Sequence, residues 1–568
     1  MSTRTGGLPR AGRRTAALVL LSACVLLGLA LAGPALAADG VPVITTPLSP
    51  PNLGESQPSI SGDFLAYAVS DTVLGSDDAV IALKYLRDGS APWTIARPSG
   101  FKDTTPQILV QGADITVVWT RLRLAEPWDS HLWIWKGSYV GGVAGFVPAD
   151  DSYPQELVTG PLDASPLPSQ SAPALGLATV GSEQHAIVAW EDTRDNGYAA
   201  PLIYFMDLTN ETTWDPASAG SQLDYTDIWA RGQRAPAVGL GGIYWLDERW
   251  SWWDSGNLTD TAVWRANLDT SDIGAFFTDS DHAYDNGADS WPRVTSNGAM
   301  WLRSGPYGAS SSIQMPFIKP AGSAGHTVGP IAQPLSPATY TRTGASSTGL
   351  AIAGKHGNSA GYPDWDIFFF DTTAGVQVPV CDRNVAASDA DPDYFKGNQL
   401  SPAIGPGSAL GFFAYRVIWV DQRDSAGEDT PDARLYEAFV PTVRWTLRPA
   451  TILNRTTLRA TATVLPGFSD EPVYLQRLTR SISKGAVVYR PYRGSLATAK
   501  MVPGQSVNES SSVATLKWKP TVKGTYYLRV WFPGAAKYGY DGETVATGKD
   551  VVVPHVGNSS KVFKLVVK

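Results

Sequence analysis

The chain has 568 residues, of which 17% are charged and 10% aromatic, with 20 Trp, so it carries enough apolar surface for a large core and is not a disordered chain. Gly (55) and Pro (42) are frequent enough to punctuate it with turns and leave little room for long helices. The formal charge of −8 hides a split: residues 441–568 carry 19 Lys plus Arg against 6 Asp plus Glu, and residues 38–440 carry 22 against 47. The acidic part argues against nucleic acid as a partner, because phosphate contacts need clustered bases.

Residues 1–37 hold Arg4, Arg10, Arg13 and Arg14 without an acid, then an apolar run from Ala16 to Ala32, then Ala35-Leu36-Ala37. This is the pattern of a bacterial signal peptide cleaved after Ala37, and it predicts a protein secreted or held at the cell surface. Leu21-Ser22-Ala23-Cys24 also fits a lipid-attachment box, but the apolar run continues well past Cys24. Arg13-Arg14 matches part of a twin-arginine signal, with Gly12 where Ser or Thr is usual. No second apolar run is long enough to span a membrane. Cys381 is then the one cysteine of the mature chain, so no internal disulfide is available.

From residue 38 to 440 a unit recurs. A Pro-led apolar run is followed by an alternating run ending near Trp, a polar loop and a third β-prone run. The anchors are Pro58, Pro106, Pro173, Pro236, Pro292, Pro337 and Pro402, 45 to 67 residues apart. Three copies carry Trp-x-Asp-x-Arg in full: Trp190, Asp192, Arg194; Trp245, Asp247, Arg249; and Trp419, Asp421, Arg423. On an alternating strand these three side chains share one face, and the recurrence points to a packing device rather than an active site. Seven β units at this spacing predict a seven-bladed β-propeller. The seventh unit lacks an outer strand, and Val41–Thr46 is expected to supply it and close the ring.

The series P-x-[ILV], W-x-D-x-R and I-Y-x-x-D-L resembles the TolB-like propeller repeat of bacterial secreted and surface proteins over about 400 residues. Residues 441–568 alternate differently, as in Thr457–Val464 and Gly524–Phe532, and resemble a bacterial immunoglobulin-like domain without a Cys pair. The expected fold class is therefore all-β: a seven-bladed propeller over 38–440 and an Ig-like sandwich over 441–568.

Three groups of residues are candidates for function. Trp250, Trp252 and Trp253, bracketed by Arg249 and Asp254, form an aromatic cluster suited to stacking on sugar rings. Asp389, Asp391 and Asp393, and separately Asp281 and Asp285, are spaced as oxygen ligands for calcium, though neither run completes an EF-hand. Gly357–Gly361 fits G-x-S-x-G, but no α/β domain is present to make it a nucleophile elbow. The six histidines are scattered along the chain.

With no catalytic motif in view, the sequence reads as an exported, non-enzymatic binding or adhesion protein for an extracellular polysaccharide or a surface protein. In that reading the basic C-terminal module is a spacer or a contact to an anionic cell-wall polymer. The alternatives are a carbohydrate-active propeller enzyme, either glycoside hydrolase or lyase, and a ligand-free scaffold. A convergence of carboxylates from separate parts of the chain would favour the enzyme.

Overall fold

The computed structural model describes the strands from Gly54 to Val567 and their short turns. Residues 1–53, the segments 71–78, 158–168, 194–200, 210–220, 223–231, 248–261, 267–272, 276–288, 305–312, 356–364, 382–398, 423–432, 504–511 and 535–555, and several shorter gaps lie outside the described residues. The expected signal peptide, Cys24 and the expected closing strand Val41–Thr46 all fall outside them.

The protein is all-β, and the antiparallel sheets before residue 447 include one of eight strands that runs from Asp289–Thr295 to Val376–Cys381. The inner strands are Gly54–Ser61, Phe101–Gln111, Gln170–Val180, Gln233–Gly239, Asp289–Thr295, Ile331–Thr341 and Gln399–Pro406. Each packs on the next, and the seventh packs back on the first, so the units form a closed ring of blades. Six of the second strands carry one aromatic residue that is fully or almost fully buried, Tyr67, Trp119, Trp190, Trp245, Trp301 and Trp419, and the sixth unit's Thr348–Lys355 has none. Burying six large rings between blades accounts for much of the apolar surface that the Trp-rich composition demands.

Among the described residues, closure between the first and seventh blades is face to face. Leu65, Tyr67, Val69 and Ala82 pack against Ile418, Val420, Ala433 and Leu435. Gly405 permits the approach, since a Cβ there would stand 2.8 Å from Cδ1 of Ile60. Glycine is thus required at Gly405 by the neighbouring blade and not by its backbone angles.

The anchor prolines mark a shared backbone device. The residue before six of them is left-handed, with φ of 47° to 53°: Gln57, Thr105, Ala172, Ala235, Trp291 and Ser401. At each, the register with the second strand breaks, as between Thr104 and Gln107 or Ser171 and Ala174. Proline has no N–H for the ladder, so a bulge costs least there. The bulge turns a backbone N–H out of the ladder, and a neighbouring blade takes it up. Thr105 N–H donates to Gln57 Oε1 at 2.6 Å, and Ala235 N–H donates to Glu191 Oε1 at 2.8 Å.

The seventh blade runs without a break into the C-terminal module. Its third strand, Arg434–Leu447, pairs with Phe413–Asp421 up to Pro441 and then with Leu458–Leu465. One continuous strand therefore belongs to the propeller and to the C-terminal module, which is a sandwich of two sheets. Leu458, Ala460, Ala462 and Val464 from one sheet and Val473, Leu475, Leu528, Val530 and Phe532 from the other make its core. This alternation of buried and exposed positions is the pattern expected of a sheet with one covered face.

Candidate functional site

In each blade the start of the first strand, the end of the second and the start of the third lie at one end of the sheet, because neighbouring strands are antiparallel. This end of the ring is where the repeated Trp-x-Asp falls. In blades three, four and seven the indole N–H donates to the carboxylate two residues on, at 2.9 Å for Trp190–Asp192, 3.2 Å for Trp245–Asp247 and 2.9 Å for Trp419–Asp421. The Asp is opposed across the sheet by a glutamine three residues before the anchor proline: Gln170, Gln233 or Gln399. Two of these glutamines reach the preceding blade, accepting from Leu132 N–H at 3.1 Å and Ile203 N–H at 2.9 Å. The repeat ties each buried Trp to its own Asp, while Gln170 and Gln233 tie one blade to the next. Arg194, Arg249 and Arg423 lie outside the described residues.

Blades two and five reverse this pairing: in blade five Asp289 opposes Arg303, and in blade two Arg121 stands where the Asp belongs and Asp103 where the Gln belongs. Their side chains form a fully buried bidentate pair, with Nε–Oδ1 at 2.7 Å and Nη2–Oδ2 at 2.9 Å. The guanidinium also lies over the Trp133 ring, 4.1 Å from its centroid. Trp119 Nε1 has lost its carboxylate, and it and Arg121 Nη1 are buried donors with no acceptor among the described residues. What sets blade two apart from blade five is the residue opposite its arginine, His131 against Met315.

On the same face, opposite Arg121, stands His131. Its strand, Glu126–Gly141, places Asp129, His131 and Trp133 on one side by simple alternation. The short strand Gln155–Glu156 pairs beside Trp133 and brings Glu156 up to the imidazole. Nε2 of His131 is 2.6 Å from Asp129 Oδ1. Nδ1 is 2.7 Å from Glu156 Oε1, an ionic contact that falls short of hydrogen-bond alignment. Arg123 Nε closes the far side of Asp129 at 3.1 Å. Asp129 is buried at 2% exposure, while His131 retains 15%, Glu156 27% and Arg123 48%, so the cluster runs from the interior out to solvent.

Burial opposes a charge on His131, but the closeness and charge of Glu156 and then of Asp129 outweigh it and raise the imidazole above its ordinary value. The ring is therefore biased toward the imidazolium, the form that can donate a proton. The two carboxylates meet different ring nitrogens, which suits orientation of the ring and retention of its charge. Among the described residues no group of three His, Cys, Asp or Glu is arranged to hold a metal ion.

The residues favoured by sequence are distributed otherwise. Arg249, Trp250, Trp252, Trp253 and Asp254 lie outside the described residues, as do Asp281, Asp285, Asp389, Asp391, Asp393 and the G-x-S-x-G segment. His131 had looked like one of six scattered histidines; the fold gives it two acidic partners. The available signal was Asp129-Ser130-His131 directly after a strand whose Trp-x-Arg violates the repeat. Glu156 carried no local signal, since only strand pairing brings it near.

No family model matches the chain, and no curated protein matches it. Solved structures do, as β-propeller enzymes. One, from a study of two prolyl endopeptidases, is 11% identical with a TM-score of 0.32; 74% of this chain covers 60% of that one. The α-L-arabinofuranosidase Arb93A of Fusarium graminearum is 10% identical with a TM-score of 0.31, over 67% of this chain and 92% of that one. The Penicillium chrysogenum α-L-arabinanase is 10% identical with a TM-score of 0.31, over 68% and 93%. The expectation of a non-enzymatic binding or adhesion protein is corrected here: the matched chains are glycoside hydrolases and peptidases, which favours the enzyme alternative, and blade two holds His131 between two carboxylates.

Proposed function

We propose that the chain is an exported carbohydrate-active enzyme, a propeller glycoside hydrolase whose proton-transferring group is His131. The observation that carries this reading is the imidazole held between Asp129 and Glu156 at 2.6 and 2.7 Å, at the end of the ring where the connections between blades meet. In this reading the Nδ1–H of His131, which lies beside Glu156 without hydrogen-bond alignment, donates its proton to the leaving oxygen of a glycosidic bond, and water takes that oxygen's place at the sugar carbon and gives up its own proton to solvent. Asp129, buried and tied to Arg123, keeps the ring oriented, and Glu156 stabilises its charge. Half-buried Phe101, with Arg123 6.0 Å from its ring centre, supplies a flat apolar face beside a cation, the combination that sugar sites use for stacking and orientation. Sugar as the substrate class also fits the arabinan-active neighbours named above, whose likeness to this chain is one of fold.

Lyase chemistry is the second reading. The half-exposed Arg123 guanidinium is placed to pair with the carboxylate of a uronic acid, whose neighbouring carbon would then lose a proton. The TolB-like type of propeller, the Ig-like class of the sandwich and export through residues 1–37 belong to the same proposal and rest on the sequence patterns.

The experiment is incubation of the full chain with neutral and uronate-containing polysaccharides. Release of reducing ends without ultraviolet-absorbing unsaturated ends supports the hydrolase. Unsaturated ends support the lyase. Release of neither from any substrate overturns both.

A further inference from the structure

The C-terminal sandwich ends, remote from the propeller, in a surface that the enzymatic reading does not use. Its common strand leaves blade seven and pairs Thr442 with Leu465 near the ring and Leu447 with Ala460 at the far end. Leu458 there pairs with Trp518, so the turns that follow Ile452 and Trp518 both lie at the far end. Backbone bonds tie the two together: Arg455 N–H donates to Pro520 O at 2.9 Å, and Asn454 N–H to Lys568 O at 2.8 Å.

At the tips of these turns stand Leu453, 69% exposed, and Val522, 64% exposed. They are the two most exposed large apolar side chains among the described residues. Single exposed aliphatics are ordinary, but two on adjacent bonded turns are not scattered. Around them Arg455, Lys519, Lys523 and Lys568 are all exposed. The described residues of the sandwich contain no Asp or Glu, so no described acidic side chain stands in this rim.

We propose that this far end is a docking surface for an anionic lipid bilayer, with Leu453 and Val522 entering the headgroup boundary and the basic rim facing lipid phosphates. Apolar tips inside a basic collar match the layered chemistry of an acidic membrane surface, anionic outside and apolar beneath. A polyanionic wall polymer would use the collar but would leave the aliphatic tips in water, which is why the bilayer is favoured over it. The attachment proposed is peripheral, made by side chains at the tips of two turns; among the described residues no helix is long and apolar enough to cross a membrane. The surface would hold the propeller away from the membrane by the length of the sandwich.

The test is co-sedimentation of the full chain with vesicles of phosphatidylcholine alone and of phosphatidylcholine with phosphatidylglycerol. The expected result is binding only to the mixed vesicles, weakening as salt rises. Leu453→Ser with Val522→Ser should lower that affinity about tenfold with an unchanged thermal midpoint. Lys519→Gln with Lys523→Gln should lower it about fivefold per charge and flatten the salt dependence. Should the double serine variant melt early, Leu453→Gln and Val522→Gln taken singly give the same reading at about threefold each. Equal binding to both vesicles, no binding, or an aliphatic variant that binds like the parent would overturn the proposal. So would capture by isolated anionic wall polymer with vesicles left unbound.

Discussion

Arg121 and Asp103 face each other across blade two in a bidentate pair of 2.7 and 2.9 Å, at the two register positions that Asp192 and Gln170 occupy in blade three. The swap places a guanidinium, not a carboxylate, against the His131 face, and it leaves Trp119 Nε1 without an acceptor among the described residues. Removing one member of a buried ion pair strands the other charge, at a cost of about 3–5 kcal/mol. Asp103→Gln and Arg121→Asp should each destabilise on that scale. The double variant should recover most of the loss, because it restores the pair used by blades three, four and seven and offers Trp119 Nε1 a carboxylate. Denaturant titrations arranged as a double-mutant cycle measure this, and additive losses would show that the two positions are not coupled.

Asp192 tests the repeated Trp–Asp tie itself. Asp192→Ala leaves the buried Trp190 indole N–H without its 2.9 Å acceptor and should cost about 1–3 kcal/mol. Thr193→Ala, at a half-buried residue whose hydroxyl accepts from Ser169 N–H at 2.8 Å and donates to Ser169 O at a long 3.5 Å, should cost about 1 kcal/mol or less. Thermal melts of the two variants give the comparison.

The seam between the first and last blades should be sensitive at Gly405. A Cβ there meets Ile60 at 2.8 Å, so Gly405→Ala should lower the thermal midpoint, and Ile60→Val in the same chain should return part of the loss by making room. A Gly405→Ala variant as stable as the parent would mean that the blades do not press together there.

The raised imidazole of His131 has a definite sign in stability. The charged ring gains from Glu156 and Asp129 in the folded state, so its contribution is full below the ordinary histidine value of 6.5 and is lost as pH rises through the raised folded value. The thermal midpoint should therefore decline over the window above 6.5, and His131→Gln should lack that part of the slope. Activity that depends on the imidazolium should fall across the same window.

The blades were legible because each repeats a physical necessity: a proline at the bulge, an alternating strand, a large aromatic to fill the space between sheets. Tyr67 in blade one shows that the pattern tolerates a change of ring while burial stays complete. The continuity of Arg434–Leu447 was not legible, since a strand that changes partner at Pro441 keeps the same alternation on both sides. The site was legible only as an anomaly. Arg121 breaks the repeat in plain sight, but so does Arg303 in blade five, and His131 acquires its meaning from Glu156, which no spacing rule connects to it. The Trp250–Trp253 cluster drew attention by composition alone, and it falls outside the described residues.

The most direct measurement is the specificity constant of His131→Gln on a polysaccharide that the parent cleaves, with thermal midpoints of both proteins recorded at the assay pH. General acid–base groups typically contribute about 10²–10⁴-fold, so the account predicts a loss of at least about a hundredfold in a variant that remains folded. A folded His131→Gln variant that keeps activity within about threefold of the parent would contradict it, and the cluster would then be a packing feature of blade two.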